Sequence, residues 1–364
     1  MTADLPPALR RAPTELQDPR SFDHVGRDAG AQGLVTGAVL ADLADADERI
    51  VCACADLKYV TRMAEFEARH TDRFFQFGIA ERNMLSAAAG MASCGLVPYV
   101  ATFACFSAIL GYEAIRTDHA YPGLPVRILA THAGIAMGFF GTSHHATEDI
   151  SALRAVAGLT ILSPPDAAAT EALLRATVNH PGPIYFRLGR GRERALDARP
   201  DADYGPGAPR LLRTGSDVLL VATGGMVGES LEAAVRLEAD GVQAGVLDVH
   251  TLKPLDGRLL SELAAVCRVV VTIEEHNVEG GLGTMVRDAL HAKGVGVPVV
   301  KHGLQDEFAL IGPPTHLYRY YGLDPDGIAT VARRALEHGP SATQERLWRQ
   351  EDRRGVLATY HAEV

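Results

Sequence analysis

The 364-residue chain has no apolar run as long as a membrane span, and residues 1–20, rich in Pro, Asp and Arg, hold no apolar core segment of the kind a secretion signal needs. Neither a membrane partner nor an export route is expected, and a cytoplasmic location follows. Positive charge is not in excess either. The 35 Lys and Arg against 45 Asp and Glu give a net charge of −10. That balance argues against nucleic acid as a partner, because neutralising phosphates takes clustered cations. Cysteine is sparse. The five residues Cys52, Cys54, Cys94, Cys105 and Cys267 are odd in number and lie in apolar surroundings, with no pair at zinc spacing matched by a second pair. They are expected to be buried, reduced thiols. What the chain does have is 47% hydrophobic and 22% charged residues, ordinary for a globular protein, and enough length for two domains with sizeable cores.

Residues 1–25 lack periodicity and read as a flexible arm. Regular structure is expected from near Asp28, with a first α/β domain over 26–190. Its strands are short apolar runs: Ile50–Cys54, Leu96–Thr102, Val126–His132, Thr160–Leu162 and Ile184–Phe186. Near-continuous apolar strands suit a parallel sheet covered on both faces. Helices are expected over Ile79–Cys94, Phe106–Thr117 and Asp166–Asn179, the last with Asp166 as its N-cap after Pro164-Pro165. A Gly/Pro/Asp/Arg-rich stretch, 191–212, reads as a linker. A second alternating domain over 213–340 follows, with strands at Val218–Ala222, Val246–Val249, Val269–Ile273 and Val297–Lys301. Its helices are Gly228–Glu238, Leu282–Leu290 and Pro325–Glu337, and residues 341–364 form a polar tail. The fold class is therefore α/β, two domains with mainly parallel sheets. In such sheets ligands bind beyond the carboxyl ends of the strands, which directs attention to the loops after Cys54, Phe77, Thr102, Thr131 and Phe186.

Each of those loops carries residues able to do chemistry, and each has an ordinary alternative. Glu81, in Gly78-Ile79-Ala80-Glu81, sits in the first turn of an apolar helix, where a carboxylate also complements the macrodipole. Phe103 and Phe106 could be core packing. His132, His144 and His145 could suggest a metal, but their spacing matches no standard zinc pattern. Asp56 after the first strand could be a solvated loop residue. Arg187 at a strand end could meet an anion or form an ion pair.

The order of these elements is more informative than any one of them. Asp56-Leu57, then Gly78-Ile79-Ala80-Glu81, Thr102-Phe103-x-x-Phe106, Ala130-Thr131-His132-x-Gly134-Ile135, Ser143-His144 and Arg187-Leu188-Gly189-Arg190 resembles the pyrimidine-binding domain of the transketolase family. Ala222-Thr223-Gly224, Leu247-Asp248 and Glu274-Glu275-His276 before Gly280-Gly281-Leu282-Gly283 resemble that family's C-terminal domain. The resemblance implies thiamine diphosphate as cofactor, Glu81 on N1′ of its aminopyrimidine, Phe103 and Phe106 stacked on that ring, and Asp56 nearby. It implies substrate-facing His132 and His144, an Arg187 that binds substrate phosphate, and transfer of a two-carbon ketol unit from a ketose phosphate to an aldehyde. The family's Gly-Asp-Gly motif for Mg²⁺ and diphosphate does not occur in this chain. No metal ligand is therefore assigned here; Mg²⁺ is expected on a separate diphosphate-binding subunit, in an α2β2 assembly.

Three departures bear on the substrate. Phe140 in Met137-Gly138-Phe139-Phe140-Gly141 stands where the family has an aspartate for an acceptor hydroxyl. Gly33 stands where a phosphate-binding Arg is usual, and Lys58-Tyr59-Val60 replaces a Ser after Asp56. His132 and Arg187 would remain of the phosphate cradle, with Lys58 as a compensating cation. A hydroxyl facing an apolar wall loses its partner at about 1–3 kcal/mol, so a non-standard acceptor from a specialised biosynthetic pathway is expected. The nearest alternative is the β subunit of a 2-oxo-acid dehydrogenase decarboxylating component, which shares fold and split. A deoxyxylulose-phosphate-synthase-like enzyme and a non-catalytic regulatory subunit are weaker alternatives.

Overall fold

The computed structural model describes residues 32–191, 193–196, 204–338, 348 and 351–356; the 1–25 arm lies outside them. Among the described residues, twelve strands form two sheets. In chain order the strands are β1 (Ile50–Cys54), β2 (Phe74–Gln76), β3 (Val97–Phe103), β4 (Arg127–Thr131), β5 (Thr160–Leu162), β6 (Ile184–Arg187), β7 (Arg210–Arg213), β8 (Val218–Ala222), β9 (Ala244–Asp248), β10 (Thr251–Lys253), β11 (Val269–Asn277) and β12 (Val299–Leu304). The helices used below are α1 (Gly33–Ala46), α2 (Ala64–Arg69), α3 (Glu81–Ser93), α4 (Tyr112–Ala114), α5 (Asp149–Leu153), α6 (Ala167–Ala176), α7 (Met226–Ala239), α8 (Gly257–Ala264), α9 (Leu282–Ala292), α10 (Pro314–Tyr320) and α11 (Pro325–His338).

The first sheet runs β10-β5-β6-β4-β3-β1-β2 and the second β12-β11-β8-β9-β7. Only β10 and β7 pair antiparallel, each at an edge. β1, β3, β4, β6, β8 and β9 are buried along their whole length. That is why their sequences are continuous apolar runs with no in–out alternation. Helices cover the faces because each brings an apolar stripe. α3 buries Met84, Leu85, Ala88, Ala89 and Ala92 at three- and four-residue spacing. Each fully buried Leu or Met there stabilises by about 1.5–3 kcal/mol. α6 starts where Asp166 accepts the Ala169 N–H at 2.9 Å, as its sequence position suggested.

Four features differ from expectation. β10 belongs to the second half of the chain yet pairs with β5 of the first sheet, Thr251 opposite Leu162, so the two sheets are tied together. The expected linker contributes Arg210–Arg213 to β7, and Glu193 in it is buried and accepts the Gln32 N–H at 3.1 Å. The expected helix Phe106–Thr117 is two π-helical turns, Phe106–Leu110 and Ile115–Ala120, on either side of α4. Gly111 between them lies so close to Leu85 and the Ser107 carbonyl that a Cβ would fall 2.2 and 2.5 Å away, an approach only glycine permits. Finally, part of the expected tail is docked: Trp348 donates to the Tyr320 carbonyl at 2.8 Å and Asp352 pairs with Arg334.

Among the thiols, Cys52, Cys54 and Cys105 are buried, but Cys94 is exposed at the end of α3, where the apolar face has already turned away. No described helix is long and apolar enough to cross a membrane.

Candidate active site

The carboxyl ends of β1, β3 and β4, with the start of α3, converge on one cluster. Gly78 at φ +64 turns the chain after β2, and Ala80 N–H closes on the Gly78 carbonyl at 2.8 Å. That turn puts Glu81 in the first turn of α3, where the helix dipole favours a carboxylate. Glu81 is only 8% exposed, and no described residue donates a hydrogen bond to its carboxylate. A largely buried carboxylate with no donor among the described residues can share a proton with a group that enters the site. It lies close enough to Cys105 to help hold that thiol up at about 12, a shift due first to burial.

Phe103 at the end of β3 and Phe106 in the π-helical turn stand 5.6 Å apart at 33°. His132 follows β4 in a left-handed conformation, φ 62. Its ring lies 4.4 Å from Phe103, and its Nδ1 lies 3.0 Å from Thr131 Oγ1. Burial first, then the charges of Arg190 and Arg62, push its pKa down to about 3, so the ring is neutral at physiological pH. His144 closes the cluster with ring centroids 5.3 Å from Phe106, 6.1 Å from Phe103 and 5.0 Å from Phe140. Its Nδ1 is 2.9 Å from Ser143 Oγ, and desolvation lowers its pKa too. Phe140 is 45% exposed at the outer edge. Glu81, Phe103, Phe106, His132, His144 and Phe140 are thus brought to one place.

Asp56 and Lys58 stand at its margin. Asp56 has φ 57 just past β1, is exposed, and donates its N–H to Gln76 Oε1 at 2.7 Å. Lys58 is already paired with Glu67 of α2 at 2.5 Å, which weakens its candidacy as a compensating phosphate ligand.

Arg187 is largely committed to internal partners. Its Nε bonds Asp149 Oδ2 at 2.8 Å, and its Nη2 donates to the carbonyls of Ala146 (3.2 Å) and Glu275 (2.9 Å). It is 4% exposed. Burial alone would lower its pKa, yet Asp149 and Glu275 outweigh that and raise it. Nε and Nη2 of Arg187 are thus held by internal partners, while the residue also lines a cavity with Ala133 and Gly189. Sequence reasoning missed those partners. Asp149 also accepts the Tyr185 hydroxyl at 3.0 Å. Glu275 accepts the Ile135 N–H at 2.7 Å, and burial pushes its pKa up to about 7. The available signal was a doublet of carboxylates inside the apolar run of β11.

The donor set suits an aminopyrimidine: a largely buried carboxylate with no donor among the described residues, in the same cluster as two phenylalanines and imidazoles whose pKa values are lowered by burial. Among the described residues no group of three His, Cys, Asp or Glu is placed to hold a metal ion.

The fold and this cluster define a two-domain α/β protein with a candidate ligand site at the carboxyl ends of its first sheet. Residues 31–194 match the transketolase pyrimidine-binding domain and residues 207–328 the transketolase C-terminal domain. A putative transketolase C-terminal section of Methanocaldococcus jannaschii is 35% identical over 80% of this chain and 92% of its own length. One of the subunits of the apulose-4-phosphate transketolase of Phocaeicola vulgatus is 32% identical over 80% of this chain and 93% of its own. A solved split-gene transketolase, described as an inactive β4 tetramer, superposes with a TM-score of 0.74 at 39% identity, over 83% of this chain and 96% of that one. The chain belongs to the transketolase family, as its C-terminal half.

Proposed function

We propose that this chain is the pyrimidine-binding subunit of a split, thiamine-diphosphate-dependent transketolase that transfers a two-carbon ketol unit to an aldehyde. The observation that carries this is Glu81, a carboxylate only 8% exposed, with no donor among the described residues and close to Cys105, which lies between Phe103 and Phe106 in the chain. In this proposal Glu81 holds a proton at N1′ of the aminopyrimidine, and Phe103 and Phe106 cover its ring faces. The bound cofactor supplies the carbon nucleophile that accepts and releases the two-carbon unit. His132, kept neutral by burial, offers one ring nitrogen to a substrate oxygen, and His144 offers a second polar contact beside it. Asp56 lines the margin.

The diphosphate and Mg²⁺ are assigned to a separate subunit, in keeping with the split relatives and with the absence of Gly-Asp-Gly. A rim of exposed apolar side chains supports a covering partner: Ile79, Ile109, Leu110 and Tyr121, 85%, 53%, 54% and 91% exposed, at the start of α3 and on the π-helical segment packed against it. An α2β2 assembly is proposed on the same grounds.

The acceptor is proposed to be other than a common aldose phosphate. Arg187 is internal, Lys58 is paired with Glu67, and Phe140 presents an apolar edge beside His144. The test combines the chain with a diphosphate-binding subunit, thiamine diphosphate and Mg²⁺. Ketose-phosphate donors and pyruvate are offered separately with a panel of aldehydes, and product mass and CO2 are followed. Two-carbon transfer without CO2, lost in Glu81→Gln, supports the proposal. CO2 from pyruvate as the main product would move the chain to the oxo-acid decarboxylating branch.

A further inference from the structure

The loop that carries His132 is unusual in being fastened from the other domain. His132 and Gly134 both have positive φ, 62° and 64°, so the segment between β4 and Ile135 sits in a conformation that L side chains resist. Such a conformation persists only when its surroundings over-determine it. Four fastenings lie within the first domain: the N–H groups of His132 and Ala133 donate to the carbonyls of Gly189 and Leu188, at 3.3 and 3.0 Å, and Gly134 and Ala146 exchange both backbone hydrogen bonds, at 3.0 and 2.9 Å. Another comes from β11. Glu275 Oε1 accepts the N–H of fully buried Ile135 at 2.7 Å, and a Cβ on Gly134 would fall 2.2 Å from the Glu275 carboxyl carbon. The carboxylate therefore lies directly against the loop backbone.

Glu275 is itself held. Its own carbonyl and that of Ala146 accept from one nitrogen, Arg187 Nη2, at 2.9 and 3.2 Å. Its side chain also bonds Tyr318 of α10. Its neighbours extend the clasp: the Asn277 N–H donates to the Thr147 carbonyl at 2.8 Å, and His276 Nε2 accepts the Ile150 N–H at 3.2 Å. Three consecutive residues of β11 thus govern both chain segments that deliver histidines to the site.

We propose that Glu275, a residue of the second domain, is a positioning residue that sets the left-handed His132 loop through Ile135 N–H, making the C-terminal domain a working part of the active site. It touches no reacting group; it acts through His132. This rests on the function proposed above only for its kinetic consequence, since the loop geometry is independent of it.

Two readouts separate the two ideas. In the first, the chain carrying ¹³Cε1-histidine is compared with Glu275→Leu and Glu275→Gln by NMR, with His132→Asn assigning the signal. Leu removes the acceptor, whereas Gln keeps a carbonyl oxygen for the Ile135 N–H. Glu275→Leu is expected to displace the His132 resonance and Glu275→Gln to leave it near wild type. An unmoved His132 signal in Glu275→Leu overturns the proposal whatever the enzymatic result. In the second, the assembled enzyme is assayed. Glu275→Leu is expected to lower kcat by about tenfold or more, since small misplacements of catalytic groups cost that much. Half-saturation by thiamine diphosphate should stay unchanged, because Glu81 and the phenylalanines are not on this loop, and Glu275→Gln should recover most of kcat. Equal impairment of both variants, or equal loss of cofactor affinity and kcat, overturns it. Should Glu275→Leu fail to fold, Gly134→Ala presses a methyl group against the same carboxylate from the loop side. It should likewise displace the His132 signal, and a wild-type spectrum there would overturn the proposal. Absence of ketol transfer by the wild-type assembly would sink the proposed reaction alone.

Discussion

Two buried carboxylates stand at the starts of two helices, one in each domain, and they are treated in opposite ways. Glu274 at the end of the apolar part of β11 accepts the N–H groups of Leu282 and Gly283, at 2.6 and 2.9 Å, and so caps α9. Glu81 in the first turn of α3 accepts nothing from any described residue. The architecture around them is the same, a parallel sheet with helices on its faces. In the second domain Glu274 spends its carboxylate on a helix start, whereas Glu81 in the first is open to a group that enters the site. Arg187, at a strand end of the first sheet, faces the second domain and is bonded through Nε and Nη2.

The sharpest way to break this comparison is to neutralise each carboxylate. Glu81→Gln in the assembled enzyme should reduce ketol transfer by about 10²-fold or more, the scale of a lost proton-transfer group, while thermal unfolding moves little. A variant that keeps wild-type kcat would place the proton function elsewhere. Removing Arg187 should do the reverse. Arg187→Leu leaves Asp149 buried and uncompensated and should destabilise the chain by about 3–5 kcal/mol in urea titration, with a clear fall in melting temperature. A stability within about 1 kcal/mol of wild type, together with loss of phosphate-substrate affinity, would favour a ligand role over this internal one (threshold from the ordinary scatter of surface variants, roughly ±0.5 kcal/mol).

Glu274 yields a pH test. Burial raises its pKa to about 7, against which the two helix N–H groups pull down. A raised carboxyl pKa means the folded state holds its proton where the unfolded chain has released it. Stability from this group is therefore greatest below the unfolded value and declines as pH rises from about 4.5 to about 7, on the order of 1.4 kcal/mol per pKa unit. Unfolding free energies at pH 5 and pH 8 should show this slope in wild type and a shallower one in Glu274→Gln. Identical slopes would mean that the cap holds Glu274 ionised throughout. The smallest effect is expected at the stacking pair: Phe106→Ala should weaken thiamine diphosphate binding by about tenfold, consistent with the roughly 0.5–1.5 kcal/mol an aromatic contact adds beyond its buried area. Unchanged half-saturation would show that Phe103 alone carries the ring.

Much of this was legible in the chain. The apolar runs of β1, β3, β4 and β8 announced buried parallel strands, because a strand covered on both faces needs no polar side. Asp166 announced its helix by local chemistry alone. The ordered positions of Glu81, Phe103, Phe106, His132 and His144 placed the candidate site at strand ends, and the fold gathers them. Less legible were β10 and the π-helical turns. Three residues of strand carry too little pattern to reveal which sheet they join, and Gly111 is permissive in sequence but decisive only once Leu85 lies against it.

The sequence by itself determined the two α/β units, the family and the residues offered to the site, because periodicity, caps and motif order are local properties of the chain. Tertiary structure alone decided which polar groups are met and which are left open. The commitment of Arg187 Nε and Nη2 to Asp149, Ala146 and Glu275 shows only in the folded chain, and Glu275 gained meaning only when β11 came to rest against Gly134. Pairing of buried charges depends on residues that are 38 and 88 positions apart in the chain for Arg187. No local pattern encodes that distance, and burial of the pair, which gives it its energy, exists only after both domains have closed.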